Sequence, residues 1–453
     1  MPTRPTLLLL LALSAPACTA ASSQHAPAPS ASSLAAVWDA ERVEQPAPPL
    51  LVHADVERRL RAVQQATPDL FSLEQIGTSV EGRSINHVQF GTGPFRVLLW
   101  SQMHGDEPTA TAALFDLFEY VRRHRREPLV QRMLTALTID AVPMLNPDGA
   151  ERYQRRNAQG IDINRDALML QTPEGRALKE LRDRLNPRIG FNLHNQGWRT
   201  AVGDTGRPAT ISLLSVAFDE ARSENEGRLL TKKTSAVIRD AVEALAPGQV
   251  AKYDDSFEPR AFGDNITRWG TPVVLIETGA WPGAEVDRNL VRLNFVALVA
   301  ALDALASGRV HEADPARYDS LPMNGSNVLY RLIRRGTVVT GTGVPPFIAD
   351  VGIGAQRVVR NVNGRRTLLM QARIDEFGDL STFGALEVIE AEGLTVAPLF
   401  DPALKPGQTV SLPSWSSPPP NLVATGQSAD LVLLRPAGEG RYRVERVFRN
   451  EAR

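Results

Sequence analysis

The stretch that decides the fold is RVLLWSQMHGDEP, at residues 96–108. It opens with a short, mainly apolar run, RVLLWS, which has the length of a buried strand, and residues 109–123 after it have the periodicity of a helix. A strand that is apolar on both faces and leads into a helix is typical of a sheet covered by helices on both sides. Polar residues follow this strand at once, at the edge of the sheet where functional groups gather.

Similar runs recur outward from this stretch. Further strands are predicted at 137–142, 189–193, 211–217 and 273–276, and further helices at 224–245 and 286–305. The sequence therefore predicts an α/β fold over residues 51–310, with a mixed, mostly parallel sheet and helices on both of its faces.

The composition changes on both sides of this region. After it, short β-prone runs at 338–340, 367–370, 386–389 and 431–434 are separated by Gly and Pro. They predict a small β-rich accessory domain over residues 311–453. Before it, residues 18–50 are rich in Ala, Ser and Pro, and that composition predicts a flexible linker.

The N-terminus has the features of an export signal. Arg4 supplies a positive charge, residues 7–13 are apolar but too short to span a bilayer stably, and small residues precede Cys18. We therefore expect a signal peptide over residues 1–17 and an exported protein, periplasmic or secreted. Cys18 resembles the lipidated cysteine of a bacterial lipoprotein, which would tether the protein to a membrane; ordinary cleavage with an incidental cysteine is the alternative. As the sole cysteine, it forms no disulfide within the chain.

The charge balance excludes one class of partner. Fifty Lys and Arg residues against 51 Asp and Glu residues give a formal net charge of -1. A general nucleic-acid binder needs a basic surface that displaces counterions, so we expect no nucleic-acid partner. The sequence gives no indication of oligomeric state.

Four residues beside predicted strands suit metal binding or acid–base chemistry. His104 and Glu107 follow one strand, and His194 and Glu277 follow two others. Two His and one Glu form a common ligand set for catalytic zinc, which leaves one position for water. Each residue alone also has an ordinary interpretation, as part of a solvated turn, as a hydrogen-bonded core histidine or as a capping carboxylate.

Another segment between these residues is rich in charge. LNPDG at 145–149 is followed by Arg155, Arg156 and Asn157, and then by GIDINRD at 160–166. Turn-favouring residues account for the first part by themselves, and the arginines would also suit a solvated face. Beside a metal site, however, arginines are what an anionic substrate or a developing oxyanion requires.

Taken in order, these segments resemble the zinc metallocarboxypeptidase family, the carboxypeptidase A-like zinc peptidases. The matching pattern is His-x-x-Glu, Asn-Pro-Asp-Gly with Arg and Asn-Arg, strand-His and strand-Glu, and it covers residues 51–310. The resemblance implies a Zn²⁺ ion held by His104, Glu107 and His194, and Glu277 as the general base on zinc-activated water. This agrees with the chemistry, because zinc lowers the pKa of its water and a carboxylate accepts the proton.

The resemblance also implies roles for the charged segment. Arg155, in preference to its neighbour Arg156, matches the arginine that polarises the scissile carbonyl. Asn164 and Arg165 match the pair that grips the terminal carboxylate of the substrate, and arginine forms bidentate pairs with carboxylates. Asp162 matches the aspartate that orients the first zinc-binding histidine.

The chain departs from the family pattern in three places. Asn195-Gln196 follows the third ligand where the family has Ser-Tyr or similar, and Asp166 stands where Asn-Arg is usually followed by Asn. Tyr253 is not in clear register with the family's substrate-covering tyrosine. These departures concern the choice of substrate more than the reaction.

The sequence thus predicts a zinc-dependent hydrolase of peptide bonds, a metallocarboxypeptidase that acts on a peptide or peptide-like substrate. A deacylase or amidase acting on small amides or cell-wall peptides is the alternative within the same fold. A non-catalytic binding protein is the alternative from a different class. The sequence opposes this last alternative, because neither a ligand nor the base is missing.

Overall fold

The computed structural model describes Met1, residues 28–414 and residues 422–452. The signal peptide, Cys18 and the first part of the predicted linker lie outside the described residues. The elements as far as residue 319 are α1 (Ala31–Glu41), α2 (His53–Ala66), β1 (Ser72–Thr78), β2 (Ser84–Phe90), β3 (Phe95–Ser101), α3 (Thr109–Arg123), α4 (Pro128–Ala136), β4 (Leu137–Val142), α5 (Pro147–Arg152), α6 (Pro173–Leu185), β5 (Ile189–Asn195), β6 (Ala201–Val202), β7 (Ile211–Ser215), α7 (Glu226–Glu243), β8 (Val250–Lys252), α8 (Phe262–Arg268), β9 (Val273–Thr278), α9 (Val286–Ser307) and α10 (Ala316–Asp319). The remaining elements are β10 (Asn324–Gly325), β11 (Val328–Val338), β12 (Phe347–Val362), β13 (Arg365–Gly378), β14 (Gly384–Glu390), β15 (Thr395–Pro398), β16 (Thr409–Ser411), β17 (Leu431–Pro436), β18 (Arg441–Phe448) and β19 (Glu451–Ala452).

The first sheet has the strand order β1-β2-β4-β3-β5-β9-β7-β8. The central neighbours β4, β3, β5 and β9 run parallel. Strand β2 pairs antiparallel with β1 and β4, and β7 pairs antiparallel with β9 and parallel with β8. Because the central strands are parallel, their carboxyl ends meet at one edge of the sheet.

Helices cover both faces of this sheet. On β3, Val97 and Leu99 pack with α3 and α9 on one face, while Leu98 and Trp100 pack with α6 and α8 on the other. Because β3 is buried on both faces, its sequence is mainly apolar and does not alternate between apolar and polar residues. The predicted α/β class, with a mixed sheet and helices on both faces, is confirmed. Helix α9 is long and apolar enough to cross a membrane, but most of it is buried in this core.

The predicted flexible linker over residues 18–50 is wrong for residues 31–41, which form helix α1. Trp38 is only 3% exposed, and its Nε1 donates a hydrogen bond to the buried Asp116 carboxylate at 2.7 Å. The other oxygen of Asp116 accepts a hydrogen bond from the backbone nitrogen of Val43 at 2.8 Å. The composition of the segment predicts disorder, but α3 and α9 supply the apolar surface that the segment lacks.

Replacing Trp38 with alanine is therefore expected to destabilise the protein. Loss of a buried tryptophan leaves a cavity, and the Asp116 carboxylate loses a donor, so we expect the free energy of unfolding to fall by about 3 to 5 kcal/mol. Denaturant titration measures this change, with Val80→Ala at an exposed valine as the control. An unchanged unfolding midpoint in Trp38→Ala would mean that α1 is a tether after all.

The second sheet begins at β11 and has the order β16-β18-β17-β15-β11-β12-β13-β19, with β14 paired to β11. Strand β10, which precedes this sheet in the chain, pairs antiparallel with β6, which lies between β5 and β7 of the first sheet in the chain. Arg366, at the start of β13, donates hydrogen bonds to the carbonyl oxygens of Ala150 and Glu151 in α5. The division of the chain at residue 310 remains a proposal.

Candidate metal centre

The three predicted metal ligands come together at the carboxyl edge of the first sheet. His104 and Glu107 lie in the loop between β3 and α3, and His194 lies near the end of the neighbouring strand β5. All three side chains are buried, and one donor atom from each lies within 4.8 Å of the others.

Both histidines turn the same ring atom toward one carboxylate. His104 Nδ1 lies 2.8 Å from Glu107 Oε1, and His194 Nδ1 lies 2.6 Å from Glu107 Oε2. Two imidazoles and a carboxylate match the donor set of catalytic zinc. The residues present therefore fit the metal that the sequence pattern implies.

Close backbone packing holds the His104–Glu107 loop in place. A Cβ atom on Gly105 would lie 2.0 Å from the carbonyl carbon of Gly149, so only glycine allows this approach to α5. Asn146 caps α5 through its Oδ1, which accepts from Gly149 N at 2.9 Å. The Asn146 amide also donates to the carbonyl oxygen of Met103 at 3.3 Å, beside the ligand. The predicted Asn-Pro-Asp-Gly turn is thus the start of a short helix that supports the metal loop.

Asp162 connects three parts of the site. Its Oδ1 lies 3.1 Å from His104 Nε2 and accepts from Asn164 N at 3.0 Å, and its Oδ2 accepts from Arg155 Nε at 3.0 Å. A carboxylate at Nε2 holds the histidine with Nδ1 directed at Glu107. Arg155 Nη1 lies 3.4 Å from Glu107 Oε1, whereas Arg156 is exposed and donates to Gly160 O.

The buried ionisable groups at the site shift one another's pKa values. Burial acts to lower the pKa of His104, but the Glu107 and Asp162 carboxylates outweigh it and raise this pKa to about 9. Burial acts in the opposite direction on Glu107, whose pKa is held low by the two histidines. Burial lowers the pKa of His194, so this ring is neutral, as a metal ligand requires.

Glu277 lies on β9 directly beside His194. The two residues are register partners on neighbouring parallel strands, so their side chains share a face of the sheet. Glu277 is 8% exposed, and its Oε2 is buried with no hydrogen-bond partner among the described residues. Burial, reinforced by Glu107, raises the pKa of this carboxyl well above its ordinary value. A buried acid with a free oxygen beside a metal group is suited to proton transfer.

A cleft with a volume of about 380 Å³ opens at the metal group and is lined in part by His104, Glu107 and Glu277. Asn164 and Arg165 line the same cleft. Asn164 Oδ1 accepts from Phe262 N at 2.8 Å, so its amide nitrogen is the group available to a ligand. The extra acid beside this pair, Asp166, does not enter the cleft. Its carboxylate is buried and accepts from the backbone nitrogens of Gln171 and Thr172 at 2.9 and 2.7 Å.

The other departures from the expected pattern have structural explanations. Asn195 Nδ2 donates to Thr109 Oγ1 at 2.8 Å, which ties β5 to the start of α3. Gln196 accepts from Asn324 Nδ2 at 3.0 Å and donates to Ser212 Oγ at 2.8 Å. Tyr253 lines the cleft, although its register in the sequence was unclear.

Sequence reasoning missed Asn324, which also lines the cleft. Nothing in its sequence context indicates a site, because the residue belongs to no metal or anion motif. It reaches the cleft only because β10 pairs with β6 next to the segment that follows His194.

Part of the chain is similar to known zinc carboxypeptidases. A model of the zinc carboxypeptidase family matches residues 56–197. Carboxypeptidase E from Caenorhabditis elegans is 31% identical over 134 residues, which are 25% of this chain and 28% of that protein. Carboxypeptidase M from Mus musculus is 29% identical over 187 residues, which are 35% of this chain and 42% of that protein. The chain thus spans less than half the length of these relatives.

Among solved structures, a metallo-carboxypeptidase from Burkholderia cenocepacia is similar. It shares 21% identity with a TM-score of 0.45, and the alignment covers 55% of this chain and 68% of that one. The family match includes the three metal-group residues and the charged segment, but it ends before Glu277.

Proposed function

We propose that the protein is a zinc-dependent hydrolase of peptide bonds and specifically a metallocarboxypeptidase. The match of residues 56–197 to a model of the zinc carboxypeptidase family supports the proposal. The observation that carries the proposal is the buried group of His104, Glu107 and His194, with the unpartnered carboxyl of Glu277 beside it. These residues supply a metal site and a proton acceptor, which are the two components that hydrolysis of an unactivated amide requires.

The metal would be held by His104, Glu107 and His194. When bound, zinc acidifies water and polarises a carbonyl group. Asp162 fixes the orientation of His104 through Nε2, so that Nδ1 faces the metal position. Glu107 and Asp162 favour a proton on His104, and a metal ion would compete with that proton, so the affinity for metal should fall as the pH is lowered.

Glu277 acts as the general base. Its free Oε2 accepts a proton from the attacking water and returns the proton to the leaving amine nitrogen. Burial raises the pKa of Glu277, which helps one carboxyl group both to accept a proton and to donate it again. Arg155 lines the cleft with its Nη1 3.4 Å from Glu107 Oε1, and its guanidinium pairs with the carbonyl oxygen of the substrate as negative charge develops there.

Asn164 and Arg165 bind the terminal carboxylate of the substrate. The amide nitrogen of Asn164 and the guanidinium of Arg165 line the cleft together and offer donors to one anion. This pair is the reason to propose removal of a C-terminal residue rather than cleavage inside a chain.

Digestion of a matched pair of peptides tests the function. The pair has one sequence, with a free carboxyl terminus in one peptide and an amide in its twin, and chelator-treated enzyme is the control. We expect release of the last residue from the free peptide only, and no release after chelation. Equal cleavage of both peptides would favour the amidase alternative, and activity that survives chelation would overturn the zinc mechanism.

Replacing Arg165 with alanine is expected to reduce selectivity for the free carboxylate. Loss of a charge-assisted pair with a carboxylate should raise KM for the free peptide on the order of tenfold, with a smaller effect on kcat. Arg184→Ala is the matched control, because Arg184 is exposed and paired with Glu74, and neither residue lines the cleft. Unchanged KM in Arg165→Ala would remove this residue from the carboxylate site.

We also propose that the protein is exported and that Cys18 carries a lipid. The sequence of residues 1–18 supports both statements. Metabolic labelling with a radioactive fatty acid, compared between the parent and Cys18→Ser, tests the lipid; equal labelling of both would contradict it.

A further inference from the structure

A second and larger cavity lies beside the cleft and has no part in the proposed chemistry. Its volume is about 1090 Å³, and we call it the aromatic cavity. Its walls come from residues 38–48, from the segment 281–291 after β9, and from strands β11 to β14. All of its lining residues except Asp116 lie outside the segment 56–197 that the family model matches.

Half-buried aromatic rings line the aromatic cavity. Trp198 and Tyr330 pack against each other with ring centroids 5.8 Å apart, and the Arg357 guanidinium lies 4.9 Å from the Trp198 ring centre. Trp281 contributes a further ring, and Met370 adds apolar surface from the second sheet. Partly exposed indole and phenol rings offer large contact areas with little loss of conformational entropy.

Most of the charged side chains in these walls are already paired. Arg357 contacts Asp287 at 2.5 Å, and Glu285 contacts Arg288 at 2.9 Å. Glu387 is likewise paired with Arg331. A charged ligand group therefore finds few unpaired side chains of opposite charge in these walls. An apolar or aromatic group is instead stabilised by burying its surface against the aromatic rings.

The segment from Gln196 to Thr200 lies between the two cavities. Gln196 and Gly197 line the cleft, while Trp198 lines the aromatic cavity. At Gly197 the space is open, because a Cβ atom there would meet no atom within 4 Å. The segment therefore contributes to the linings of both cavities, and no neighbouring atom would obstruct a side chain at Gly197.

The position of the carboxylate-binding pair sets where a substrate peptide would begin in the cleft. Asn164, in the pair that binds the substrate carboxylate, is bonded to the start of α8 at Phe262 N. Gln196 and Asn324 are bonded to each other elsewhere in the cleft lining, and Gln196 is the chain neighbour of Gly197. A peptide that binds with its carboxyl terminus at Asn164 and runs past Gln196 would reach Gly197 and Trp198.

We propose that the aromatic cavity binds the residues on the amino side of the scissile bond, with a preference for apolar or aromatic side chains. This inference rests on the proposed carboxypeptidase function and names its substrate class as peptides of several residues rather than dipeptides or small amides. The volume suits that class, since it exceeds what a single drug-sized ligand fills.

Three substrates test the proposal. The short one is an N-blocked dipeptide, the long one is a blocked hexapeptide with the same last two residues and Phe on the amino side, and a polar twin has Ser in place of Phe. The parent enzyme is expected to hydrolyse the long peptide with a kcat/KM about tenfold above that for either of the others, the factor expected for one apolar contact.

Two variants in the lining of the aromatic cavity, Trp281→Ala and Met370→Ala, are expected to lower the ratio of kcat/KM between the long peptide and the polar twin. Ile348→Ala is the control, because Ile348 is 74% exposed on β12 outside the cavity, and it should keep the parent ratio. Equal kcat/KM for all three substrates in the parent, or unchanged ratios in both variants, would overturn the proposal. If the parent hydrolyses none of the substrates, the proposed function itself fails.

Discussion

Replacing Glu277 with glutamine is expected to leave zinc bound and to lower kcat by a factor on the order of 10³. Glutamine has nearly the same shape, so the packing against His194 is kept, but it cannot accept a proton from water. The side chain is not one of the three donors within 4.8 Å, so metal content should stay at the parent level. Steady-state kinetics and metal analysis of the purified variant measure the two effects separately.

The same substitution has an expected effect on stability, and its sign follows from the pKa shift. Burial raises the pKa of Glu277 above its ordinary value of 4.5, so the ionised carboxylate is disfavoured in the folded protein. That penalty develops as the pH rises above 4.5 and is absent in glutamine. The unfolding midpoint of Glu277→Gln at neutral pH should thus be at least that of the parent, and lost activity cannot be ascribed to unfolding.

Glu174→Gln is the matched control for Glu277→Gln. Glu174 is fully buried, has an oxygen without a partner among the described residues, and has a pKa raised by burial, but it does not line the cleft. It should keep parent activity. Substantial turnover by Glu277→Gln would refute the general-base role.

Replacing His194 with alanine is expected to abolish both zinc binding and activity. The ring is 2% exposed and shares the Glu107 carboxylate with His104, so its loss leaves two of three donors. Elemental analysis should find almost no zinc in the purified variant. Zinc binds only the folded site, so a chelator should lower the melting temperature of the parent and leave that of the variant unchanged.

His87→Ala is the control for a buried histidine outside the metal group. His87 is 4% exposed, and its Nε2 lies 2.8 Å from Asp140 Oδ1. This variant should lose stability and keep zinc. Parent-level zinc in His194→Ala would remove His194 from the proposed ligand set.

The central strands of the first sheet, the order of the site segments and the grouping of the metal residues could be predicted from the sequence, whereas β1, β2 and β8 were not predicted. Strands β3, β5 and β9 are buried on both faces, so each is a mainly apolar run that can be recognised from the sequence alone. His104, His194 and Glu277 stand at or near the ends of these runs. Parallel central strands then bring the residues to one edge, and this follows from topology rather than from contacts between side chains.

Only the tertiary structure decided which polar residues face the cleft and which segments are ordered. Asp166 sits beside Arg165 in the sequence, but its buried carboxylate accepts hydrogen bonds from the backbone nitrogens of Gln171 and Thr172. Asn324 stands far from any motif and reaches the cleft through β10. Helix α1 has a composition typical of a linker and is ordered by α3, α9 and Asp116. In each case the outcome depends on partners distant along the chain. Local patterns encode hydrophobic periodicity and motif order, but burial and hydrogen bonding depend on which surfaces the folded chain brings together.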